Sequence, residues 1–180
     1  NGNYAPAPTD DFFSARWSEA EYPIQWSLEN RDFVTGASLG LDLNVRRAWS
    51  RTYGEGVTIA VADCGIELDH QELASRTTDG PHFCFVDGIA EGNPAGTTEF
   101  WAHGTAVAGL AAADRNHARM VGVAPEAKLA SWRIYSIDPV NQRAQFATDE
   151  QLMDLFQHEI QTVGVQNHSW SGDVLTLTGP

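Results

Sequence analysis

The stretch Val57-Thr-Ile-Ala-Val-Ala-Asp63-Cys-Gly65 decides the fold. Its near-continuous apolar character with β-branching predicts a strand buried on both faces, as in a parallel sheet covered by helices. Gly54 and Gly56 mark the turn that leads in. The strand delivers a carboxylate, Asp63, to its carboxyl end, where open α/β sheets place working groups.

Outward from this strand the pattern alternates between helix and strand. Upstream, Asp42 to Trp49 predicts a helix with Asp42 or Asn44 as cap and Val45 and Trp49 on one face. Residues 1–36 lack a steady period and are broken by Pro6, Pro8 and Pro23. They read as an N-terminal arm, anchored by Trp17 and Trp26, on a body formed by residues 37–180. Downstream, residues 65–80 read as loop with a helical turn around Glu72, Leu73 and Ala74. A short strand around Phe83, Phe85 and Val86 follows, then a surface loop from Asp87 to Thr98. His103 to Ala113, rich in alanine, predicts a buried helix opening on the histidine, and Lys128 to Ile134 the next strand. Thr148-Asp-Glu-Gln151 is a capping-box pattern, with Leu152, Phe156 and Ile160 repeating every four residues behind it. Val163 to Val165 starts another strand that leads into Gln166 to Gly172. Strands alternating with helices make an α/β layer architecture.

Charge narrows the partners. Twenty-four acidic against 11 basic side chains leave a net charge of −13, which argues against a nucleic-acid backbone, since phosphate binding needs a basic face. Solubility accounts for most of that charge, and cationic substrates or calcium are compatible with it. No apolar run reaches the length of a membrane span. Cys64 and Cys84 allow at most one disulfide and form no zinc pattern; a buried free thiol is the expected state of Cys64. The chain begins at Asn1 without an initiator methionine or signal peptide, so a processed product or a trimmed piece is expected.

Asp63 after its strand can orient an imidazole, and His103 can act as general base toward a hydroxyl and then as acid toward a leaving amine. Each also has a plainer reading. An aspartate after a strand is commonly a cap, a loop carboxylate or a metal ligand, and a lone histidine in such a helix is commonly structural.

The run of motifs goes further. Asp42 to Trp49, Gly56 to Ile66, His70-Gln-Glu-Leu73, His103-Gly-Thr105 with Val107-Ala-Gly109, Val121-Gly-Val-Ala-Pro125 and Ser169-Trp170 resemble, in order, the subtilisin-like serine proteases. The particular likeness is to their kexin-like proprotein-convertase branch. The resemblance covers nearly the whole chain. It implies a three-layer, parallel-sheet subtilisin-like fold present as its N-terminal part, and a serine endopeptidase in which Asp63 and His103 stand at the triad aspartate and histidine. The family's nucleophilic serine and oxyanion asparagine belong to later motifs. They are expected on a C-terminal remainder of the catalytic domain, so this chain alone is expected to be inactive.

The resemblance also implies a peptide or protein substrate lying along Ser169, Trp170, Ser171 and Gly172, with Phe100 at the second subsite. Ser169-Trp-Ser-Gly172 is one residue longer than the family's Ser-Trp-Gly, which shifts register near the first subsite, where Asp173 is the nearby carboxylate. Trp170 has an equal reading as a core anchor. The two acidic positions by which convertases choose paired basic residues are Cys64 and Phe100 here, so a dibasic preference is not expected. The family's calcium site maps onto Asp10 or Asp11, Glu72 and the loop of Asp114 and Asn116, a structural ion that would staple the arm to the body. Secretion or a periplasmic location follows from the same likeness. A peptide-binding pseudoprotease and a calcium-dependent structural module are the alternatives. Distance between Asp63 and His103 would favour an unrelated α/β protein.

Overall fold

The computed structural model describes residues 5–9, 13, 25–32, 34–138 and 140–171. In chain order its elements are α1 (Val45–Trp49), β1 (Thr58–Asp63), α2 (Ala74–Thr77), β2 (Phe83–Cys84), α3 (Glu99–Ala112), β3 (Lys128–Arg133), β4 (Tyr135–Ile137), β5 (Ala144–Phe146), α4 (Asp149–Gln157) and β6 (Val165–His168). Four strands form a parallel sheet in the order β2-β3-β1-β6, and β4 and β5 pair as an antiparallel ribbon. Parallel neighbours cannot be joined by tight turns, and the chain crosses over through helices instead.

The two-residue period of β1 explains the three layers. Ile59 and Val61 face one side, where they meet Ile66, Leu73, Leu129 and the alanines Ala108 and Ala112 of α3. Ala60 and Ala62 face the other, where Trp132, Phe85, Ile134 and Leu155 of α4 close over them. Helices thus cover both faces, and five of the six β1 residues are buried. Trp132 is fully buried and donates its indole N–H to the Pro81 carbonyl (3.0 Å), so its polar atom is satisfied inside the core. Small side chains on α3 are what let it approach the sheet. A Cβ at Gly104 would collide with the Gly65 carbonyl and lie 3.0 Å from Asp63 Cβ. Gly65 itself adopts φ 111°, a left-handed conformation natural to glycine.

A third cluster joins Ala5, Phe13 and Leu28 to Val45, Trp49 and Val121. Ala5 N–H donates to the Arg46 carbonyl and Arg46 Nε returns a bond to the Ala5 carbonyl. Phe13 and Leu28 are the buried anchors, whereas Trp26 is half-exposed and Trp17 lies outside the described residues. Among the described residues no helix is long and apolar enough to cross a membrane.

Several expectations shift. Val45 and Trp49 are buried on one face of α1, but Asn44 makes no side-chain cap; at φ 50° it is left-handed rather than extended as a cap must be. The Asp42 carboxylate accepts the Asn30 N–H instead. The capping box on α4 is present in both directions, Thr148 with Gln151. The buried residue behind it is Leu155, with Leu152 beside it, while Phe156 and Ile160 are exposed. The reason is local: α4 stops at Gln157 because His158 turns extended, and Ile160 falls off the helical period. α3 starts at Glu99, four residues before the histidine. Thr98 is extended there, and Glu99 sits in the first turn, where the helix dipole favours a carboxylate.

Candidate active site

β1 ends on Asp63 at the carboxyl edge of the sheet, and α3 carries His103 in its second turn. His103 Nδ1 lies 3.0 Å from Asp63 Oδ1 and 2.9 Å from Oδ2. The carboxylate side chain is 4% exposed and the imidazole 53%. A buried acceptor on Nδ1 holds the proton there and leaves the Nε2 lone pair open toward solvent, the tautomer a general base needs. Distance between the two residues was the condition for an unrelated α/β protein; they are in contact, and that reading falls.

The pair is locked from behind. Asp63 Oδ1 also accepts the Cys64 N–H at 2.8 Å. The Cys64 thiol is buried against α3, 3.3 Å from the carbonyls of Phe100 and Trp101 and 3.4 Å from the Gly104 N–H. Burial pushes this thiol up to about 11, and the neighbouring Asp63 adds to the rise, so it is a neutral S–H at physiological pH. Cys84 is likewise free and buried, and burial raises it too; no disulfide joins the two. Thr105 Oγ1 accepts the Glu67 N–H at 3.0 Å, which ties the chain leaving Asp63 directly to α3.

A cavity of about 400 Å³ opens at the pair, lined by Asp63, Glu99, Phe100, His103, Tyr135, Ser169, Trp170 and Ser171. It therefore gathers three of the proposed substrate residues after β6 and Phe100 from α3 beside the dyad. Gly172 and Asp173 lie outside the described residues. Ser169 Oγ donates to Asn167 Oδ1 at 2.9 Å, so its hydroxyl is turned to its own strand. One wall is aromatic. Phe100 meets Tyr135 edge-on at 5.2 Å, Tyr135 meets Phe146 at 4.7 Å, and Phe146 meets Trp170 at 5.7 Å. Tyr135 and Phe146 come from the β4–β5 ribbon and had no signal in the sequence beyond being aromatic residues near a strand. Burial raises the Tyr135 phenol, with Asp63 and Cys64 adding to it, which keeps that hydroxyl neutral. Glu99 was missed as well: one helical turn before His103, it brings a carboxylate to the same cavity.

The expected metal residues are elsewhere. Glu72 is 3% exposed; its Oε1 accepts the Arg119 N–H at 2.9 Å, and its Oε2 is buried without a partner among the described residues. Asn116 is next to it in space through the Gln71 carbonyl, to which its Nδ2 donates, but its Oδ1 already takes the Ala118 N–H. Asp114 is paired with Arg76 and Ser75. Asp10 and Asp11 lie outside the described residues, and among those described no three His, Cys, Asp or Glu side chains gather as a metal site. The orphaned oxygen of Glu72 fits a hard cation; the side chains around it, on their own, do not complete one.

Comparison with known proteins agrees with this geometry. Residues 54–178 match the model of the Subtilase family. The chain is 35% identical over 147 residues to the dibasic-processing endoprotease of Schizosaccharomyces pombe, covering 81% of this chain and 19% of that protein. It is 34% identical over 161 residues to human (Homo sapiens) neuroendocrine convertase 2, covering 87% of this chain and 24% of that protein. The solved structure of the Aeromonas sobria serine protease in complex with its chaperone superposes with a TM-score of 0.63 at 27% identity, over 83% of this chain and 25% of that one. The chain thus spans about a fifth to a quarter of the length of these curated relatives.

Proposed function

Because this chain belongs to the subtilase family, with convertase-like relatives, we propose that it supplies the aspartate–histidine half of a serine endopeptidase. The observation that carries the reading is the contact of a buried carboxylate with Nδ1 of a half-exposed imidazole at the mouth of a cleft. In the reaction, His103 Nε2 takes the proton of a serine hydroxyl while its oxygen attacks the peptide carbonyl. The same nitrogen then delivers that proton to the departing amine, and Asp63 stabilises the imidazolium in between. The serine and the oxyanion asparagine come from a C-terminal remainder of the catalytic domain. Support for that partner is the outer edge of β6, unpaired among the described residues, and the coverage of about a fifth to a quarter of the relatives' length.

The cleft favours apolar substrate side chains on the non-prime side. The wall of Phe100, Tyr135 and Trp170, backed by Phe146, supports this, and Glu99 in the same lining adds a carboxylate that would draw a cation. The S. pombe relative is described as dibasic-processing; here a neutral Cys64 and the Phe100 ring occupy the positions that would carry that charge.

Calcium is part of the proposal, supported by the orphaned Glu72 oxygen, with Asn116 and the arm carboxylates Asp10 or Asp11 as further ligands. It would act as a structural staple. Chelation would then lower the melting temperature of the wild type and not of Glu72→Gln. Such a staple suits a secreted or periplasmic protein, where calcium is plentiful.

The test of function is hydrolysis of a peptide by the full-length protein. His103→Ala and Asp63→Asn should each lower kcat/KM by on the order of 10⁴-fold. Hydrolysis that survives both changes overturns the reading.

A further inference from the structure

Arg133 ends β3 in register with Asp63 on one side and Cys84 on the other. Its side chain is 8% exposed, and it spends its donors on three groups. Nη2 donates to Asp87 Oδ2 at 2.7 Å, Nη1 to the Asn93 carbonyl at 2.8 Å, and Nε to Cys84 Sγ at 3.2 Å. Ser136 Oγ adds a 2.6 Å bond to the same Asp87 oxygen. Burial pushes the Asp87 carboxyl up, but the bonds from Ser136, Cys84 and Arg133 outweigh it and hold it below the usual range.

Both ends of this arrangement lead to the dyad. The loop it grips, residues 87–98, runs straight into α3 and His103. The same loop braces the chain leaving Asp63. The Gly92 carbonyl accepts the Ile66 N–H at 3.0 Å, Asn93 Oδ1 accepts the Leu68 N–H at 3.1 Å, and a Cβ on Gly65 would meet Pro94 and the Gly92 carbonyl under 3.0 Å. The sequence presents this loop as solvated surface; the structure turns it around a buried guanidinium.

We propose that Arg133 is a positioning residue for the dyad: its grip on Asp87, Asn93 and Cys84 sets the 87–98 loop, and through it the spacing of His103 from Asp63. The inference rests on reading that pair as the base half of a triad. A planar fork meeting three acceptors at fixed angles is something a lysine ammonium cannot reproduce. Misplacement of about 1 Å at a reacting group is worth roughly a hundredfold in rate.

The experiment uses the full-length protein and the Arg133→Lys variant, with two readouts taken well below the melting temperature. One is kcat and KM for a peptide. The other is the downfield proton resonance of His103 Nδ1–H, identified by its loss in Asp63→Asn. Arg133→Lys is expected to lower kcat tenfold to a hundredfold with KM within about twofold, and to shift or broaden that resonance. If Arg133→Lys does not fold, Ser136→Ala, which removes one bond to Asp87, carries the test with a several-fold loss in the same direction. An unchanged resonance with unchanged kcat, in whichever of these variants folds, overturns the proposal. A resonance that moves in a protein that cleaves no peptide keeps the positioning role and overturns the protease reading instead.

Discussion

On one side of β1, β3 pairs along all six residues, from Thr58 with Lys128 to Asp63 with Arg133, and is itself covered by β2. On the other side, β6 pairs along four, from Ile59 with Val165 to Ala62 with His168, and among the described residues nothing pairs with its outer edge. The polar groups on and beside these two strands differ as well. The β3 side satisfies Trp132, Ser131 and Arg133 internally, whereas beside β6 the His168 Nδ1 and Trp170 Nε1 atoms are buried without partners among the described residues. Met153 and Phe156 on α4, Ile160 in the turn after it and Val165 on β6 are all half-exposed or more. An open strand edge beside exposed apolar side chains is a surface that proteins usually cover. The dyad is therefore built into the finished flank, while the substrate side of the cleft borders the unfinished one.

The contrast can be broken most forcefully at Trp132. Trp132→Ala on the finished flank should cost about 3–5 kcal/mol in denaturant unfolding, since it opens a cavity and strands the Pro81 carbonyl. A loss under about 1 kcal/mol would mean that this core is not the stabilising one. Next comes the cap of α4: Thr148→Ala should cost about 1 kcal/mol by the same measurement, and an unchanged midpoint would show that the capping box is not formed in solution.

The thiols sharpen the comparison through pH. Cys64 is raised in the folded state from 9.0 to about 11, so its contribution to stability is complete below pH 9 and is lost as pH rises toward about 11. Near neutral pH a thiol reagent should label neither Cys64 nor Cys84 until the protein is unfolded. Rapid labelling of the native protein would place at least one of them outside the core. The smallest effect belongs to the open flank, where Phe156→Ser should change stability by within about 0.5 kcal/mol. A loss of several kcal/mol there would reveal that the flank is already covered.

What the sequence disclosed depended on how locally the information was written. The β1 strand, the β3 strand, the α4 cap and the alanine-rich body of α3 are spelled in adjacent residues and were legible from pattern alone. The contact of Asp63 with His103 spans forty residues, and only the ordered run of family motifs pointed to it. Nothing in the run Asp87 to Thr98 signals that it wraps a guanidinium supplied by residue 133, because that pairing exists only once β3 lies beside β2. Tyr135 reaches the cleft, with Phe146 packed against it, through the β4–β5 ribbon, whose register is a tertiary fact. The face of α4 was misread because the four-residue repeat continued to Ile160, past the extended His158 that ends the helix.

The central claim is that Asp63 and His103 activate a serine carried by the rest of the protein. The most direct test treats the full-length protein with a fluorophosphonate probe and locates the adduct by peptide mass. The account predicts one labelled serine lying beyond residue 180, with labelling lost in His103→Ala. Absence of label in the wild type, or label that persists at the same rate in His103→Ala, would contradict it.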